Sequence, residues 1–152
     1  MHLCENCKIV LGGPPVDINS TGMDGDYVKF ENYNHLTVIV QLGVTGAATT
    51  LTMEKDADGS GAGTAMAFNY RYEDTDSGDT LETVAAATSS GIACSTNDEV
   101  FYVVEMDAAE CGSSYPFVRA CLSDPSAATL ASICYILSEP RYAQETPPTA
   151  LS

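Results

Sequence analysis

The sequence predicts an all-β chain: an antiparallel β-sandwich or small β-barrel of about eight strands with extended N- and C-terminal arms. Several segments alternate apolar and polar residues with a period of two, and turns rich in Asp and Gly separate them. No segment of ten or more residues has the 3.6-residue period of an amphipathic helix. Only single helical turns are predicted, at residues 107–110 and 125–128.

The alternation is clearest in residues 36–42, where every second side chain is aliphatic, and it recurs in residues 50–54 and 65–72. Residues 100–104 and 133–137 are apolar on both faces, which predicts strands at the centre of the sandwich. The other candidate strands, which complete the predicted set, occupy residues 27–32, 81–87, 100–106, 116–122 and 130–138.

Composition divides the chain into an N-terminal arm (residues 1–26), a core (27–138) and a C-terminal arm (139–152). In the first arm, Gly12-Gly13-Pro14-Pro15 leaves little room for regular structure, because glycine and proline interrupt helices and strands. The second arm contains Pro140, Pro147 and Pro148 and has no periodic pattern. Both arms are therefore predicted to be extended segments rather than folded units.

Charge excludes two classes of partner. The chain has 21 Asp and Glu against 6 Lys and Arg, a net charge of −15, so it repels phosphate backbones and anionic membrane surfaces. No stretch approaches the roughly 18–20 apolar residues of a membrane span, and the N-terminus lacks the basic start and long apolar run of a signal peptide. We expect a soluble chain that is made in a cytoplasm.

Six cysteines contrast with that expectation, because cytoplasmic proteins seldom keep disulfides whereas virion surfaces and extracellular settings allow them. The candidate disulfide cysteines are Cys4, Cys7, Cys94, Cys111, Cys121 and Cys134. Six cysteines allow 15 pairings within one chain, and the sequence does not choose among them. Cys121 and Cys134 are predicted in or beside adjacent late strands. We hypothesise that at least one arm cysteine bonds to another subunit.

Cys4 and Cys7 form a CxxC motif close to His2. A structural zinc site needs a second such motif at suitable spacing, and a redox centre needs a following helix that lowers the thiol pKa. Neither is present in the sequence pattern. Disulfide bonding, inert free thiols, zinc binding and redox chemistry remain as alternatives at this stage.

An Asp- and Gly-rich stretch at residues 56–63 is predicted to be a hairpin tip. It resembles the start of a calcium loop, which has oxygen ligands at alternating positions and glycine at the sixth, here Asp56, Asp58, Ser60 and Gly61. The twelfth position, which needs a bidentate acid, is Ala67. A solvated hairpin is the favoured interpretation, and weak calcium binding is the alternative.

The sequence predicts no enzyme. It contains no Gly-x-Ser-x-Gly elbow and no Walker-type loop, and its histidines are His2 in the arm and His35 at a strand start. Acidic pairs such as Glu73/Asp74 and Glu105/Asp107 are expected by chance in so acidic a chain, and there is no Trp to stack on a sugar. We therefore predict no catalytic residue, no cofactor and no metal.

Three segments carry a resemblance to known proteins. They are residues 28–41 (VKFENYNHLTVIVQ), 100–110 (VFYVVEMDAAE) and 136–150 (ILSEPRYAQETPPTA). Together they resemble small structural proteins of tailed bacteriophages, the head decoration or cement proteins. The resemblance implies a β-rich virion protein, often a homotrimer, which is made in the host cytoplasm and binds the major capsid protein on the outer capsid surface. The cysteines depart from that family's usual pattern.

The resulting hypothesis is a capsid decoration protein that stabilises the outer surface of a phage head through contacts between subunits. Stiff, extended arms suit such contacts because they lose little entropy on docking. The candidate contact residues lie in the two arms and are Pro14, Pro15, Pro140, Arg141, Tyr142, Pro147 and Pro148. A neck or tail structural protein, and a β-sandwich module that binds a host surface, are the alternatives.

Overall fold

Two antiparallel sheets pack face to face in a β-sandwich, which confirms the predicted fold class. The structure is a computed structural model, and it describes residues 3–75, 78–142 and 150–151. Those residues form twelve strands, more than the eight predicted, because several short strands flank the long ones. No helix within the described ranges has the length and apolar character needed to cross a membrane.

Six strands form the first sheet, which we call sheet A, and its longest strands lie side by side. In spatial order they are β1 (Lys8–Asp17), β12 (Thr129–Pro140), β4 (Tyr33–Thr45), β10 (Phe101–Asp107), β7 (Phe68–Glu73) and β8 (Ala85–Ala87).

The second sheet, sheet B, is built on shorter strands in the order β2 (Met23–Asp24), β11 (Phe117–Leu122), β5 (Thr50–Asp56) and β6 (Thr64–Met66). Two further strands pair beside it: β3 (Val28–Lys29) with β11, and β9 (Ile92–Ala93) with β5. Short helical turns are α1 (Leu3–Asn6), a 3-10 turn (Phe30–Asn32) and α2 (Ala108–Cys111).

The predicted helical turn after β10 is confirmed as α2. Asp107 caps it, since the backbone N–H of Asp107 donates to Glu110 Oε2 at 2.7 Å in a capping box. Residues 125–128 are not helical. The residues just before them explain this, because the Asp124 side chain accepts the backbone N–H groups of Ser20 and Ser126 and holds an open turn instead.

The two-residue alternation of the sequence sorts side chains between the core and the outside. In β4, Leu36, Val38 and Val40 are fully buried and contribute to one core that both sheets share. The opposite faces of these strands point away from sheet B. Three of the inner strands of sheet A, β4, β10 and β12, carry apolar residues on both faces.

Tyr135 links the two sheets through the middle of the core. Its side chain extends from β12 in sheet A, and its hydroxyl accepts the backbone N–H of Ala120 in β11 at 3.0 Å. That N–H faces a gap between β2 and β3, where no strand pairs with β11. Within this gap the backbone N–H of Gly25 donates to the Ala120 carbonyl at 2.9 Å. Tyr135 therefore replaces a missing strand partner for β11.

Two glycines make room for Tyr135. A Cβ on Gly12 would lie 2.2 Å from the Tyr135 ring, and a Cβ on Gly25 would lie 2.4 Å from its hydroxyl. Any side chain at these positions would displace the ring or the surrounding backbone. The glycines of the N-terminal segment thus serve packing and do not mark a flexible tether.

The N-terminal segment is more regular than its composition predicted. Residues 8–17 form β1, the edge strand of sheet A, which pairs with β12. Pro14 and Pro15 fit there because an edge strand leaves N–H groups unpaired, and the register shifts between Leu11 and Val16 accommodate the irregular stretch. The predicted arm over residues 1–26 is therefore in large part a component of the sandwich.

The C-terminal segment also returns to the sandwich. Strand β12 continues to Pro140, and the Lys29 N–H donates to the Ala150 carbonyl at 2.7 Å. Ala150 is buried, and Leu151 forms a bridge with Val28. The described part of the predicted arm is thus attached at both ends, and Pro147 and Pro148 lie outside the described residues.

We predict that Tyr135→Phe lowers the free energy of unfolding by about 1–3 kcal/mol, because it leaves the buried Ala120 N–H without a partner. Urea unfolding measures the effect. The matched control is Tyr142→Phe, since Tyr142 is 68% exposed. Equal stability of the two variants would contradict the bridging role of Tyr135.

Candidate interaction surface

The outer face of sheet A carries a row of apolar side chains across four strands. Leu11 of β1 lies opposite Cys134 of β12. Ile39 of β4 lies opposite both Cys134 and Val103, which belongs to β10. Their neighbours along each strand are buried in the core, so these four residues share the face that points away from sheet B.

Further apolar residues widen this row. Ile9 lies opposite Ile136 on one side of it, and Phe101 lies two residues before Val103 on the other. Leu11 and Ile9 are 59% and 43% exposed. Leu130 lies farther along β12 on the same face, beyond Ser132, whose hydroxyl donates to Gln41 Oε1 at 3.3 Å. We call this surface the outer patch, formed by Ile9, Leu11, Ile39, Phe101, Val103, Leu130, Cys134 and Ile136.

Charged residues border the outer patch on the side of β7 and β10. Arg71 lies opposite Val103, and Glu73 lies opposite Phe101. Glu105 lies opposite Thr37 on the same face. The border thus has charges of both signs, whereas none of the eight patch residues is charged. An apolar centre with a charged rim is typical of protein interfaces.

The outer face of sheet B differs, because its own cations cover its aromatic side chains. Arg119 donates to Glu54 Oε2 at 2.9 and 2.8 Å, and its guanidinium lies 4.6 Å from the Tyr27 ring centroid. Lys29 Nζ lies 5.5 Å from the ring centroid of Phe117. Sheet B is therefore covered by charged groups of this chain, and sheet A is not.

His35 lies at one end of the outer face, between two carboxylates. Its Nδ1 is 2.8 Å from Asp107 Oδ1, and its Nε2 is 3.8 Å from Glu105 Oε1. Ser138 lies opposite His35 in the register, yet no hydrogen bond joins its hydroxyl to the ring among the described residues. The arrangement is an acidic surface cluster around one histidine. It lacks the contact between a nucleophile and its base that nucleophilic catalysis needs.

A cleft of about 660 Å³ lies at the same end of the sandwich, between the 3-10 turn and α2. Its lining combines the Phe30 and Tyr115 side chains with the carboxylates of Glu31, Asp107 and Glu139. Arg141 also lines it. Because acidic groups outnumber basic ones, the cleft is better suited to a basic or neutral peptide segment than to an anionic ligand.

The structure separates the predicted contact residues into two groups. Pro14 and Pro15 lie in β1 near Ile133, whereas Pro140 to Tyr142 follow the far end of β12. Seven residues of strand, or about 24 Å, separate Ile133 from Pro140. The two groups therefore belong to different sites.

Arg141 already has partners within its own chain. Its Nε donates to Asn34 Oδ1 at 2.9 Å, and its backbone N–H donates to the Asn32 carbonyl at 2.9 Å. Tyr142 follows Arg141 in the chain and is 68% exposed. Contact of these residues with another subunit stays a prediction.

All six cysteines are free thiols within the described residues, and only Cys4 is exposed. Cys94 and Cys111 belong to the core at opposite ends of β10, where Cys94 lies by Tyr102 and Cys111 follows Asp107. Those ends are about 17 Å apart, beyond the reach of a disulfide. Bonds between subunits stay a prediction, and Cys4 is the accessible candidate.

Cys121 and Cys134 lie in the successive late strands β11 and β12, as predicted, but the fold does not bring them together. The strands β11 and β12 follow one another in sequence but belong to different sheets. Both cysteines face outward, so the full thickness of two sheets packed about 10 Å apart separates them. A disulfide between them within one chain would need a Cα distance below about 7 Å.

The CxxC motif of Cys4 and Cys7 and the Asp- and Gly-rich hairpin loop at residues 56–63 form no metal cluster among the described residues. Cys4 is exposed and Cys7 is buried, so they point to different environments. In the hairpin loop, Asp56 Oδ2 accepts the backbone N–H groups of Gly59 and Ser60 at 2.8 and 3.1 Å. These bonds close the turn and use the carboxylate that calcium would need.

Phe68, Tyr70 and Tyr72 form an aromatic stripe that packs inward from sheet A. The Tyr72 ring is stacked on Tyr102 with 5.7 Å between centroids. The Tyr102 hydroxyl accepts the Ser95 backbone N–H at 2.7 Å, and burial raises the pKa of the neighbouring Cys94 thiol to about 12. This region is therefore structural, and its thiol is unreactive near neutral pH.

We predict that an oxidised preparation gives a covalent dimer through Cys4, because it is the exposed thiol of the six. Non-reducing gel electrophoresis should reveal the dimer for the unmodified chain and for Cys94→Ala, whose thiol is buried. The band should be absent for Cys4→Ser. A dimer band that persists in Cys4→Ser would refute the assignment.

Alkaline pH should destabilise the reduced chain. Burial raises the pKa of Cys94 to about 12 and that of Cys111 to about 11, from an ordinary value of 9.0. The unfolded chain therefore releases these protons first, and the free energy of unfolding falls above about pH 9. Urea unfolding between about pH 8 and about pH 10.5 measures the fall.

Cys94→Ala provides the internal comparison for that pH series. The substitution removes a thiol that loses its proton in the unfolded chain but not in the folded one. The free energy of unfolding of the variant should therefore fall less steeply with pH than that of the unmodified chain, by up to about 1.4 kcal/mol per pH unit. Parallel pH profiles for the variant and the unmodified chain would show that Cys94 does not contribute.

The sequence did not identify the outer patch. Residues 100–104 and 133–137 are apolar on both faces, and this is the sequence feature that corresponds to the patch. The same feature predicts strands buried on both faces at the centre of the sandwich, so it does not reveal an open face. The structure places these strands inside sheet A with one of their faces open.

Comparison with known proteins gives one likeness. No protein-family model matches the chain, and no curated protein matches it. Among solved structures it is similar to the SPBc2 prophage-derived protein YomS, with 10% identity, 88% of this chain and 94% of that chain covered, and a TM-score of 0.49. At this level the likeness carries no argument about function.

Proposed function

We propose that this chain is a structural protein of a bacteriophage virion, and specifically a head decoration protein. In this role it binds the major capsid protein on the outer surface of the head and associates with further copies of itself. The observation that carries the proposal is the outer patch, because an uncharged surface with exposed apolar side chains on a chain of net charge −15 suits an assembly subunit.

The charge supports the proposed position on the head. A shell that encloses DNA separates it from proteins on the outside, and a strongly acidic subunit has no affinity for that DNA. The resemblance of residues 28–41, 100–110 and 136–150 to decoration proteins supports the same role. Synthesis in the host cytoplasm followed by attachment to the virion fits a chain with free thiols.

The cleft end of the sandwich is the proposed contact with the shell. Tyr142 is exposed there, and tyrosine is frequent among residues that dominate binding energy. The carboxylates of Glu31, Asp107 and Glu139 would complement a basic segment of the capsid protein. We propose no catalytic activity, because no hydroxyl or thiol among the described residues hydrogen-bonds to His35, whose ring pairs with Glu105 and Asp107.

Occupancy on heads tests the proposal. Heads assembled from the phage's major capsid protein without this chain are mixed with it, and bound chain is measured after pelleting. We predict saturable binding that Tyr142→Ala weakens at least about 30-fold, as expected for a residue that dominates an interface. The control is Val84→Ala, another exposed apolar residue, which lies before β8 at the far edge of sheet A.

The outcome also separates the alternative functions. A neck or tail protein would bind purified necks or tails and leave heads bare. A host-binding module would bind host cells while the heads stay unoccupied. Either result would refute head decoration, and saturable binding to heads that is equal for Tyr142→Ala and Val84→Ala would refute the proposed contact.

A further inference from the structure

We propose that the outer patch binds the same patch of a second copy of this chain, so that two sheets A pack face to face. This inference deepens the self-association in the proposed function by naming the surface that forms it. It rests on the register, exposure and charge of the patch and not on the cysteines or the arms.

Self-complementarity is the first argument. The other large apolar side chains that the described residues expose are scattered singly over edges and ends, among them Leu3, Leu81, Val84 and Leu151. Among the described residues, the surface that matches the outer patch in breadth and apolar character is therefore the same patch on a second copy of the chain. Such a contact between identical patches is isologous and closes as a two-fold dimer.

Shape is the second argument. The patch lies on four neighbouring strands of one sheet, and twisted sheets pack well on one another at about −30° with interdigitating side chains. The face-to-face contact would repeat, on the outside of sheet A, the packing that sheet B provides on its inside. Long aliphatic side chains such as Ile9, Leu11 and Ile39 suit that layer.

Charge is the third argument. Two copies that each carry −15 repel one another over most of their surfaces, so they can approach closely only where the surface is uncharged. The outer patch is such a surface, and Arg71 lies beside Glu73 and Glu105 on its border. The basic group of one copy can therefore offset an acidic group of the other at the rim.

The available area fits a dimer of moderate strength. The outer face of the four strands, which are spaced about 4.8 Å apart and roughly ten residues long, measures about 600 Å² per copy, including the charged rim around the outer patch. Two such faces reach the lower limit of stable interfaces, which bury about 1,200 Å² in total. Repulsion between the copies weakens this association at low salt, and screening by added salt relieves it.

Sedimentation equilibrium of the reduced chain tests the proposal. We expect a reversible monomer–dimer equilibrium that becomes stronger when salt rises from about 0.05 to about 0.5 M, since an apolar contact between like-charged copies gains from screening. An interface built on ion pairs would instead weaken. A chain that stays monomeric at all concentrations, or a dimer that weakens with salt, would overturn the proposal.

Two matched substitutions locate the contact. Ile39→Lys places a charge at the centre of the outer patch, and Leu151→Lys makes the same kind of change at an exposed residue next to β3 of sheet B. Both reduce the net negative charge by one, so repulsion is equal. We expect Ile39→Lys to weaken dimerisation at least about tenfold and Leu151→Lys to leave it unchanged.

Leu11→Lys is a second patch variant that controls for misfolding of Ile39→Lys, because Leu11 is 59% exposed on an edge strand and tolerates a long polar side chain. It should weaken the dimer while the unfolding transition stays that of a folded sandwich. If both patch variants dimerise as Leu151→Lys does, the proposal fails.

The same variants distinguish this proposal from the proposed function. A chain that dimerises through the patch but binds no heads would support the dimer and refute head decoration. A monomeric chain whose head binding is abolished by Ile39→Lys would show that the shell covers the patch, which overturns the dimer.

Discussion

The hydrogen bond between the Tyr135 hydroxyl and the Ala120 N–H holds the two sheets in register across the core. Sheet B depends on it because β2 and β3 leave a gap beside β11, and sheet A depends on it because the Tyr135 ring fills the space above Gly12. The N-terminal segment packs against the same ring and pairs with β12 as a strand. Its glycines admit the ring, and β1 then closes the edge of the sheet and supplies Ile9 and Leu11 to the outer face.

Sheet B therefore covers one face of sheet A, and the other face stays open to solvent. Sheet B, by contrast, covers its outer aromatic rings with Arg119 and Lys29, so the two outer faces of the molecule have different chemistry. An acidic chain with one uncharged patch can approach other proteins closely in one orientation. The cleft end, with its carboxylates and exposed Tyr142, provides a second and chemically distinct surface, so that association between copies and attachment to a shell need not compete.

Local patterns sufficed for the fold class and for most strands, because alternation in residues 36–42 or 65–72 reports directly which side chains are buried. They did not suffice for β1, since Gly12 and Pro14 are poor strand formers and the pairing of the segment with β12 makes it a strand. The separation of Cys121 from Cys134 and the contact of His35 with Asp107 depend on strand order, which local patterns do not determine. The open face of sheet A also needed the topology, because an apolar strand has the same composition whether one face or both are covered.

Side-chain footprinting of the chain in solution, compared between dilute and concentrated samples, tests most directly whether the outer patch is buried between copies. The account predicts that labelling of Leu11, Ile39 and Phe101 falls as concentration rises, while labelling of Leu151 and Tyr142 stays constant. Constant labelling of the outer patch at every concentration, or protection confined to Tyr142 and the cleft, would contradict it.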